Sequence, residues 1–572
     1  MGIARAAAIG SFFVLGTVIA CSSAGGDSSS VTPSEGAGGA AGAGGDTSSA
    51  GGSGTVGGNP GFGGFGGSGV GGATTVFPDP VTCDEAAASH TYLGCDFWPT
   101  IVDNVVQPTF DFAAVVANTQ AADATVTVTR GGKMIGTATV PANGLLKLYL
   151  PWVEELKSLS WLPGQPDNGC ATFTKTNTVR APGGAYHLTS SLPVAVYQFN
   201  AIEYAGKGGP PGKNWGTCKT CAGLSPGCYS YSNDASLLLP TTALTPNYRI
   251  AGPTPWKPPD SDPNMPSTFA FPTYFAITGT VDGTMVTVQM SSTGTISAGG
   301  GVTAIGPGQK TTFAIDAGEV VMVVGSATAD LSGSLVKASA PVQVVSGIAC
   351  SNIPHDVVAC DHLEETVLPV ETLGQRYFVT QPTASAGNTV GHVVRLIGNV
   401  DGTKLTYPGA TPSGAPSSID AGEVVDLGVV TTDFEIVGDH ELLVSSFQIG
   451  QGPMMGARLG DPSMSFISTV PQFRVKYSFL APDDYDVSFV DVVQPMDATV
   501  TIDGAPITAK PTAISSGYGV ARVKLGPGNG GAHVLTSSAP VGIQVMGYGA
   551  YTSYQYPGGL NLGVIAPIPP LK

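Results

Sequence analysis

The sequence predicts an all-β protein made of tandem antiparallel β-sandwich-like units, with a β-propeller-like array as the alternative arrangement. Stretches of alternating apolar and polar residues recur along the chain, and LTSSLPVAVYQFN from Leu188 returns almost unchanged as LTSSAPVGIQVMG from Leu535. Alternation with a period of two is typical of half-buried strands, and recurrence at long intervals is typical of repeated units. Abundant glycine (80 residues) and scarce charge (11%) also favour a β protein outside the cytoplasm.

Three phrases recur in a fixed order and define the units. The first is a strand that ends in a glycine turn, with copies from Asp123, Gly283, Gly402 and Asp497. The second is the phrase at Leu188, in which a polar break and usually a proline separate two alternating runs. Because proline is tolerated at the first residue of a strand, this phrase predicts two strands joined by a turn.

The third phrase separates one unit from the next. Its copies are LLLPTTALTPNYRI from Leu237, TVLPVETLGQRYFV from Thr366 and STVPQFRVKYSFL from Ser468. These positions divide the region 79–572 into approximate units at 83–236, 237–365, 366–467 and 468–560. Propeller blades are usually shorter and more even in length than these units, so sandwich-like units are the leading prediction.

The N-terminal segment predicts export and lipid attachment. Residues 1–20 carry one early charge and an apolar run too short to span a membrane, which is typical of a signal peptide. The small Ala20 before Cys21 indicates that Cys21 is lipidated, and Ser22 favours the outer membrane. The rest of 21–78 is a Gly/Ser-rich tract that buries too little apolar surface to fold, and is therefore a disordered linker.

Charge argues against nucleic acid as a partner. The chain has 24 basic and 41 acidic residues, a net charge of −17, and no basic run that would neutralise a phosphate backbone.

The cysteines predict disulfide bonds. Without Cys21, eight of the nine cysteines remain, and an even number in an exported chain indicates pairing. Local pairs Cys83 with Cys95 and Cys350 with Cys360 are expected, and the connectivity of the rest stays open. The disulfide candidates are Cys83, Cys95, Cys170, Cys218, Cys221, Cys228, Cys350 and Cys360.

One dense group of polar residues is a candidate chemical site. It lies between Cys350 and Cys360 and just after, and includes His355, Asp361, His362, Glu364 and Glu365. Imidazoles and carboxylates together suit a metal or an acid/base pair. Their spacing follows no metal-binding template, so an exposed polar loop is the preferred interpretation and the presence of a metal is left open.

Several longer stretches carry a family resemblance. They are YLGCDFWPT (92–100), PVAVYQFN (193–200), SNDASLLLPTTAL (232–244), ACDHLEETVLPVETLGQRYFV (359–379) and SSAPVGIQVMGYG (537–549). From about Cys83 to Pro557 the chain resembles the IgGFc-binding protein N-terminal domain family. The resemblance implies an all-β extracellular module with a binding role. No cofactor is expected. It supplies no ligand.

These observations together predict a lipid-anchored cell-surface module, in the outer membrane and facing the cell exterior or the periplasm, that binds an unidentified extracellular protein or glycan and is not an enzyme. One alternative is an exported metal-dependent hydrolase that uses the cluster from His355 to Glu365. Another is a structural envelope protein without a soluble ligand.

Overall fold

The computed structural model describes residues 79–106, 109–158, 174–217, 228–230, 232–257, 270–357, 360–450, 459–526 and 531–572. Almost all regular structure in these residues is antiparallel strand, which confirms the all-β class. The α-helix α1 (Cys83–Ser89) is capped at its N-terminus by Thr82, whose side chain accepts a hydrogen bond from Glu85 N. No helix in this part of the chain is long and apolar enough to cross a membrane.

The first sheet has seven strands centred on one long strand. Its order is β4-β3-β7-β2-β5, and β1 and β8 also pair with β7. The strands of this region are β1 (Gly94–Phe97), β2 (Phe112–Asn118), β3 (Ala124–Arg130), β4 (Lys133–Val140), β5 (Leu145–Leu150), β6 (Val179–Ala181), β7 (Tyr186–Phe199) and β8 (Ala235–Leu238). The strand β6 lies outside this sheet and pairs with the next one.

The second region forms two sheets. The first has the order β16-β15-β10-β13-β6 and the second the order β12-β11-β14-β9. Their strands are β9 (Asn247–Arg249), β10 (Thr273–Gly279), β11 (Thr284–Gln289), β12 (Lys310–Ile315), β13 (Val320–Val324), β14 (Leu335–Ala338), β15 (Val342–Ser351) and β16 (Asp361–Thr366).

The third and fourth regions each form one curled sheet around a long strand. The third comprises β17 (Gly374–Val379), β18 (His392–Gly398), β19 (Thr403–Thr406), β20 (Ser418–Ile419), β21 (Val424–Val430), β22 (Phe434–Gln448) and β23 (Met464–Phe466). Its sheet has the order β20-β19-β22-β18-β21, and β17 and β23 also pair with β22. The fourth has the order β27-β26-β30-β25-β29-β28, with β24 and β31 also on β30. It comprises β24 (Arg474–Leu480), β25 (Val487–Pro495), β26 (Val500–Ile502), β27 (Ala505–Pro506), β28 (Thr512–Ser515), β29 (Tyr518–Lys524), β30 (Ala532–Gly549) and β31 (Thr552–Pro557).

The predicted turn inside the second recurring phrase is wrong in three of the four regions. The phrase forms a single strand in β7, β22 and β30, and only in the second region is it divided into β14 and β15. The two halves of β7 pair with different partners: Leu188 pairs with Val128, whereas Val196 pairs with Val116 and Leu238. The strand therefore passes between the two halves of a curled sheet, and its polar break marks the change of partners.

The third phrase recurs because each copy fixes one buried tyrosine. The hydroxyls of Tyr248, Tyr377 and Tyr477 each donate a hydrogen bond to a backbone carbonyl on the second phrase of the same region. Each hydroxyl also accepts a backbone N–H from the residue three positions earlier. A buried hydroxyl that both donates and accepts joins the start of a region to its long strand, as a tyrosine corner does.

Four short strands contact one another at the centre of this part of the chain. The strand β8 contacts β16, β16 contacts β23, β23 contacts β31, and β31 contacts β8. We call these four strands the ring. Segments near the two ends of the folded region, before β1 and after β31, are also hydrogen-bonded to each other: Tyr92 N donates to Leu560 O at 3.2 Å and Leu562 N donates to His90 O at 2.8 Å. The regions are thus joined around a common centre, although each sheet is sandwich-like in its curl. The exact boundaries of the four units stay a prediction.

Candidate functional site

Most of the predicted polar cluster lies at this centre and not on the surface. Asp361, His362 and Glu364 are 0% exposed and Glu365 is 1% exposed, all on β16. The interpretation as an exposed polar loop is therefore wrong for these four residues. The reason is their pairing: β16 runs antiparallel to β15, with Glu364 opposite Gly347, so the chain re-enters the sheet directly after Cys360.

His355 is separated from the rest of the predicted cluster. It lies between β15 and β16 on the exposed part of the loop that the Cys350–Cys360 disulfide closes. Its Nε2 atom is 2.9 Å from Thr254 Oγ1. The structure thus brings His362 and Glu364 together, with 3.6 Å between Nε2 and Oε2, and leaves His355 outside.

Two further carboxyl groups complete the centre and were not identified from the sequence. Asp234 immediately precedes β8, and its Oδ2 atom accepts hydrogen bonds from Glu364 N (3.2 Å) and Met464 N (3.1 Å). A single side chain of the first region thereby fixes strands of the second and third regions. Asp461, 5% exposed, precedes β23 and donates its backbone N–H to Ser553 Oγ at 2.9 Å.

A sequence signal for Asp461 exists in the repeat itself. Asp361 lies sixteen residues before Tyr377, and Asp461 lies sixteen residues before Tyr477. Ser232 holds the same position before Tyr248, and its hydroxyl accepts the backbone N–H of His362 at 2.9 Å. Aligning the repeats on the tyrosine would therefore have placed these residues at one structural position.

Burial governs the electrostatics of the centre. It raises the pKa of Asp234, Asp361, Glu364 and Glu365, and it raises the pKa of Asp461 to about 8. The negative charges of Asp461 and then Asp234 raise the pKa of Asp361 further. Desolvation and like charge both favour the neutral acid, so they act in the same direction here.

The imidazole of His362 has one fixed and one unfilled position. Its Nδ1 atom lies 3.1 Å from Ile348 O, so Nδ1 carries the hydrogen and donates it. Its Nε2 atom is buried and has no hydrogen-bond partner among the described residues. Glu364, the nearest acid, accepts hydrogen bonds from the amide groups of Asn200 and Gln198. The arrangement can hold and exchange protons.

The same residues do not form a metal centre in the part of the chain that the structure describes. No three His, Cys, Asp or Glu side chains there are grouped as metal ligands. The carboxyl oxygens of Asp234 accept backbone N–H groups instead, as in a structural cap.

Two of the predicted disulfides are confirmed. Cys83 is bonded to Cys95 and Cys350 to Cys360, with Cα–Cα distances of 5.7 and 5.3 Å. Cys228 is also disulfide-bonded. The remaining candidates Cys170, Cys218 and Cys221, like the lipidation residue Cys21, lie outside the described residues.

Comparison with known proteins gives one family and one curated relative. The family model described as IgGFc binding protein matches residues 234–547. The human IgGFc-binding protein is 27% identical over 247 residues, which is 42% of this chain and 4% of the human protein. The match thus spans only a small part of that relative's length.

Solved structures resemble the chain only weakly. A GH78 family rhamnosidase of Bacillus sp. GL1 has 9% identity and a TM-score of 0.11, covering 68% of this chain and 56% of its own. Two B repeat units of the collagen binding protein of Staphylococcus aureus have 9% identity and a TM-score of 0.08, covering 77% and 98%. Neither likeness carries an argument about fold or function.

Proposed function

Because this chain belongs to the IgGFc-binding protein family, we propose that it is a cell-surface binding module that recognises an extracellular protein or glycan. The family match over residues 234–547 carries the proposal, since it includes the central strands β8, β16 and β23. The human relative is named for the Fc part of immunoglobulin G, and Fc is therefore the first ligand to test.

Lipid attachment at Cys21 is the proposed means of placing the module at the outer membrane. The small residue before Cys21 and the apolar run of residues 1–20 support this attachment. The Gly/Ser-rich composition of 21–78 predicts a linker that would give the folded region a reach on the order of 40 Å from the membrane. Such a reach suits recognition of a ligand beyond the cell surface.

Rigid joints between the regions support a binding surface of fixed shape. Arg395 of the third region is 3% exposed, pairs with Asp330 of the second region, and donates to Gly252 O. Arg522 of the fourth region contacts Asp433 of the third at 2.8 Å. Hydrogen-bonded arginines with little exposure fix the relative orientation of neighbouring sheets, because losing either partner leaves a poorly solvated charge uncompensated.

The hydrolase alternative has less support. It requires a substrate to reach the carboxylates and imidazole of the cluster, but Asp361, His362, Glu364 and Glu365 are all buried. The family is a binding family, which argues only indirectly against an enzyme. The structural envelope alternative differs from the proposed module in one respect, the absence of a ligand.

Direct binding measurements separate a binding module from an envelope component. The full chain is captured on a supported lipid layer, and human Fc fragment, secreted proteins and a glycan array are applied. We expect saturable binding to at least one of them, lost when the captured chain is heated above its melting temperature. Absence of saturable binding to all three classes would favour the structural alternative.

Anchoring is tested separately by metabolic labelling with palmitate. We expect the unmodified chain to incorporate the label and to fractionate with the outer membrane. The Cys21→Ala variant should incorporate none, whereas Ser22→Ala should behave as the unmodified chain. Equal labelling of the Cys21→Ala variant would contradict the lipid anchor.

A further inference from the structure

Five buried carboxyl groups lie on or directly before the strands of the ring. They belong to Asp234, Asp361, Glu364, Glu365 and Asp461, which are 0 to 5% exposed. In the described parts of the chain, the one basic side chain paired with any of them is the imidazole of His362, whose Nε2 lies 3.6 Å from Glu364 Oε2. Removing five carboxylates from water without counter-ions is strongly unfavourable, so the five cannot all be ionised in the folded chain.

Among the described residues, the groups that surround the five carboxyls are neutral or acidic apart from the imidazole of His362. The strand β8 is preceded by Asp234, β23 is preceded by Asp461, and β16 carries the other three acids and His362. From β31, Thr552 Oγ1 donates to Asp361 Oδ2 at 3.3 Å. The other titratable groups that interact electrostatically with these acids are three tyrosines, and burial raises the pKa of each of them. They are Tyr274, Tyr485 and Tyr556.

We propose that protons hold this centre together and make the ring pH-sensitive. Asp361 and Asp461 share one proton, and Glu364 donates another to Nε2 of His362. Loss of these protons as the pH rises separates β8, β16, β23 and β31. The mechanism concerns the closure of the ring and does not depend on the proposed binding function.

Contacts with β31 bring Asp361 and Asp461 to the same place. Thr552 Oγ1 donates to Asp361 Oδ2 at 3.3 Å, and Asp461 N donates to Oγ of the next residue, Ser553, at 2.9 Å. Asp461 is also the charge that acts most strongly on Asp361. Because two buried carboxyls that interact in this way cannot both be charged, the pair keeps one proton.

The geometry around His362 explains its unfilled nitrogen. With the hydrogen on Nδ1 directed to Ile348 O, Nε2 presents a lone pair toward Glu364 Oε2, 3.6 Å away. A charged carboxylate would offer Nε2 no hydrogen, whereas a protonated one can donate to it. A proton on Glu364 therefore supplies a donor for the one vacant position on the imidazole, once the two side chains close the 3.6 Å between Oε2 and Nε2 to hydrogen-bond distance.

The direction of the pH effect follows from the raised pKa values. The folded chain raises the pKa of Asp461 from 3.8 to about 8, so it binds this proton more tightly than the unfolded chain does. The associated stability is complete below about pH 4 and is lost as the pH rises through 8. This contribution to the stability of the ring is thus greatest in acid and smallest in alkaline solution.

Infrared spectroscopy of the unmodified full chain tests for the protons themselves. Protonated carboxyl groups absorb apart from carboxylates, and we expect their band to persist at pH 7 and to weaken as the pH rises through about 8, where Asp461 loses its proton. The Asp461→Asn variant should lose part of this band at pH 7, and Asp401→Asn, which changes an exposed carboxyl beside Lys572, should lose none. No protonated carboxyl at pH 6 in the unmodified chain would overturn the shared protons.

Thermal unfolding between pH 4 and 9 tests the consequence. We expect the melting temperature of the unmodified chain to fall with rising pH, and Asp461→Asn to raise it at pH 9 by about 3 °C while flattening the slope. The Asp401→Asn control should leave the slope unchanged. A slope unaffected by Asp461→Asn would contradict the mechanism.

A bound cation is the competing explanation, and the same samples decide it. Calcium and magnesium are added at pH 8, against EDTA. The shared protons predict no change in melting temperature. A rise in the unmodified chain that Asp461→Asn abolishes would show that the acids are ionised and hold a metal, and would overturn the proposal. If Asp461→Asn does not fold, absence of the band above pH 7 in the unmodified chain overturns the proposal, because below that pH the band also includes Glu203 and Asp491, whose pKa values burial raises to about 7.

Discussion

At the scale of single residues, three of the repeats share the same pair of hydrogen bonds to one buried tyrosine. The landmark tyrosines Tyr248, Tyr377 and Tyr477 make the same two backbone contacts in three regions. Their hydroxyls lie where a phenylalanine would leave a carbonyl and an N–H without partners. A buried polar group without a partner destabilises the folded chain by more than one hydrogen bond stabilises it. Removing a tyrosine hydroxyl should therefore cost more free energy of unfolding than the net contribution of a hydrogen bond.

Replacing Tyr477 by phenylalanine tests this difference. We expect Tyr477→Phe to lower the free energy of unfolding by about 1 to 3 kcal/mol, because Val541 O and Arg474 N lose their partner. Denaturant titration of the full chain measures the change. Met134→Ala, at a side chain that is 70% exposed, serves as the control and should cost less than about 0.5 kcal/mol. Equal effects of the two substitutions would contradict the assigned role.

Sequence reasoning succeeded at residues with local partners and failed at the centre. The pairs Cys83–Cys95 and Cys350–Cys360 were predictable because few residues separate their members. The burial of Asp361 and Glu364 was not, since charged side chains usually face water. Their contacts with Asp234 and Asp461 join separate regions of the chain. A local sequence pattern does not show which distant residues lie close together in the fold.

At the scale of elements, alternation identified the strands but misplaced one feature. The polar break before Pro193 and Pro540 has the composition of a turn, yet β7 and β30 continue through it. Local sequence shows where a strand loses its apolar alternation. Whether the chain turns or changes partners there depends on neighbours such as β3 and β2, which lie elsewhere in the sequence.

The Cys350–Cys360 disulfide joins β15 to β16, and its contribution to stability can be tested directly. It closes a loop between Cys350 and Cys360, with a sequence separation of 10, directly before the buried acids of β16. We expect the Cys350→Ser/Cys360→Ser double variant to lose about 2 to 3 kcal/mol of unfolding free energy. The matched pair Cys83→Ser/Cys95→Ser should lose a similar amount and leave the pH dependence unchanged. An unchanged free energy of unfolding in the Cys350→Ser/Cys360→Ser variant would show that the disulfide does not stabilise the folded chain.

At the scale of the whole molecule, the sequence predicted the all-β class but left the arrangement of the units open. Tandem units without mutual contacts and units around a common centre share the same repeats and the same alternation. The choice is made by contacts between β8, β16, β23 and β31, and by the contacts of Tyr92 and Leu562 near the chain ends. These contacts join residues that the repeat pattern does not relate.

Closure of the ring is the central claim, and an engineered disulfide tests it most directly. Thr91 and Asn561 form an isolated antiparallel bridge, so their Cα atoms are close although they lie near opposite ends of the folded region. We predict that the full chain with Thr91→Cys and Asn561→Cys forms an intramolecular disulfide under oxidising conditions, detected by peptide mapping. Free thiols at both positions, or cross-links only between separate molecules, would contradict a closed ring.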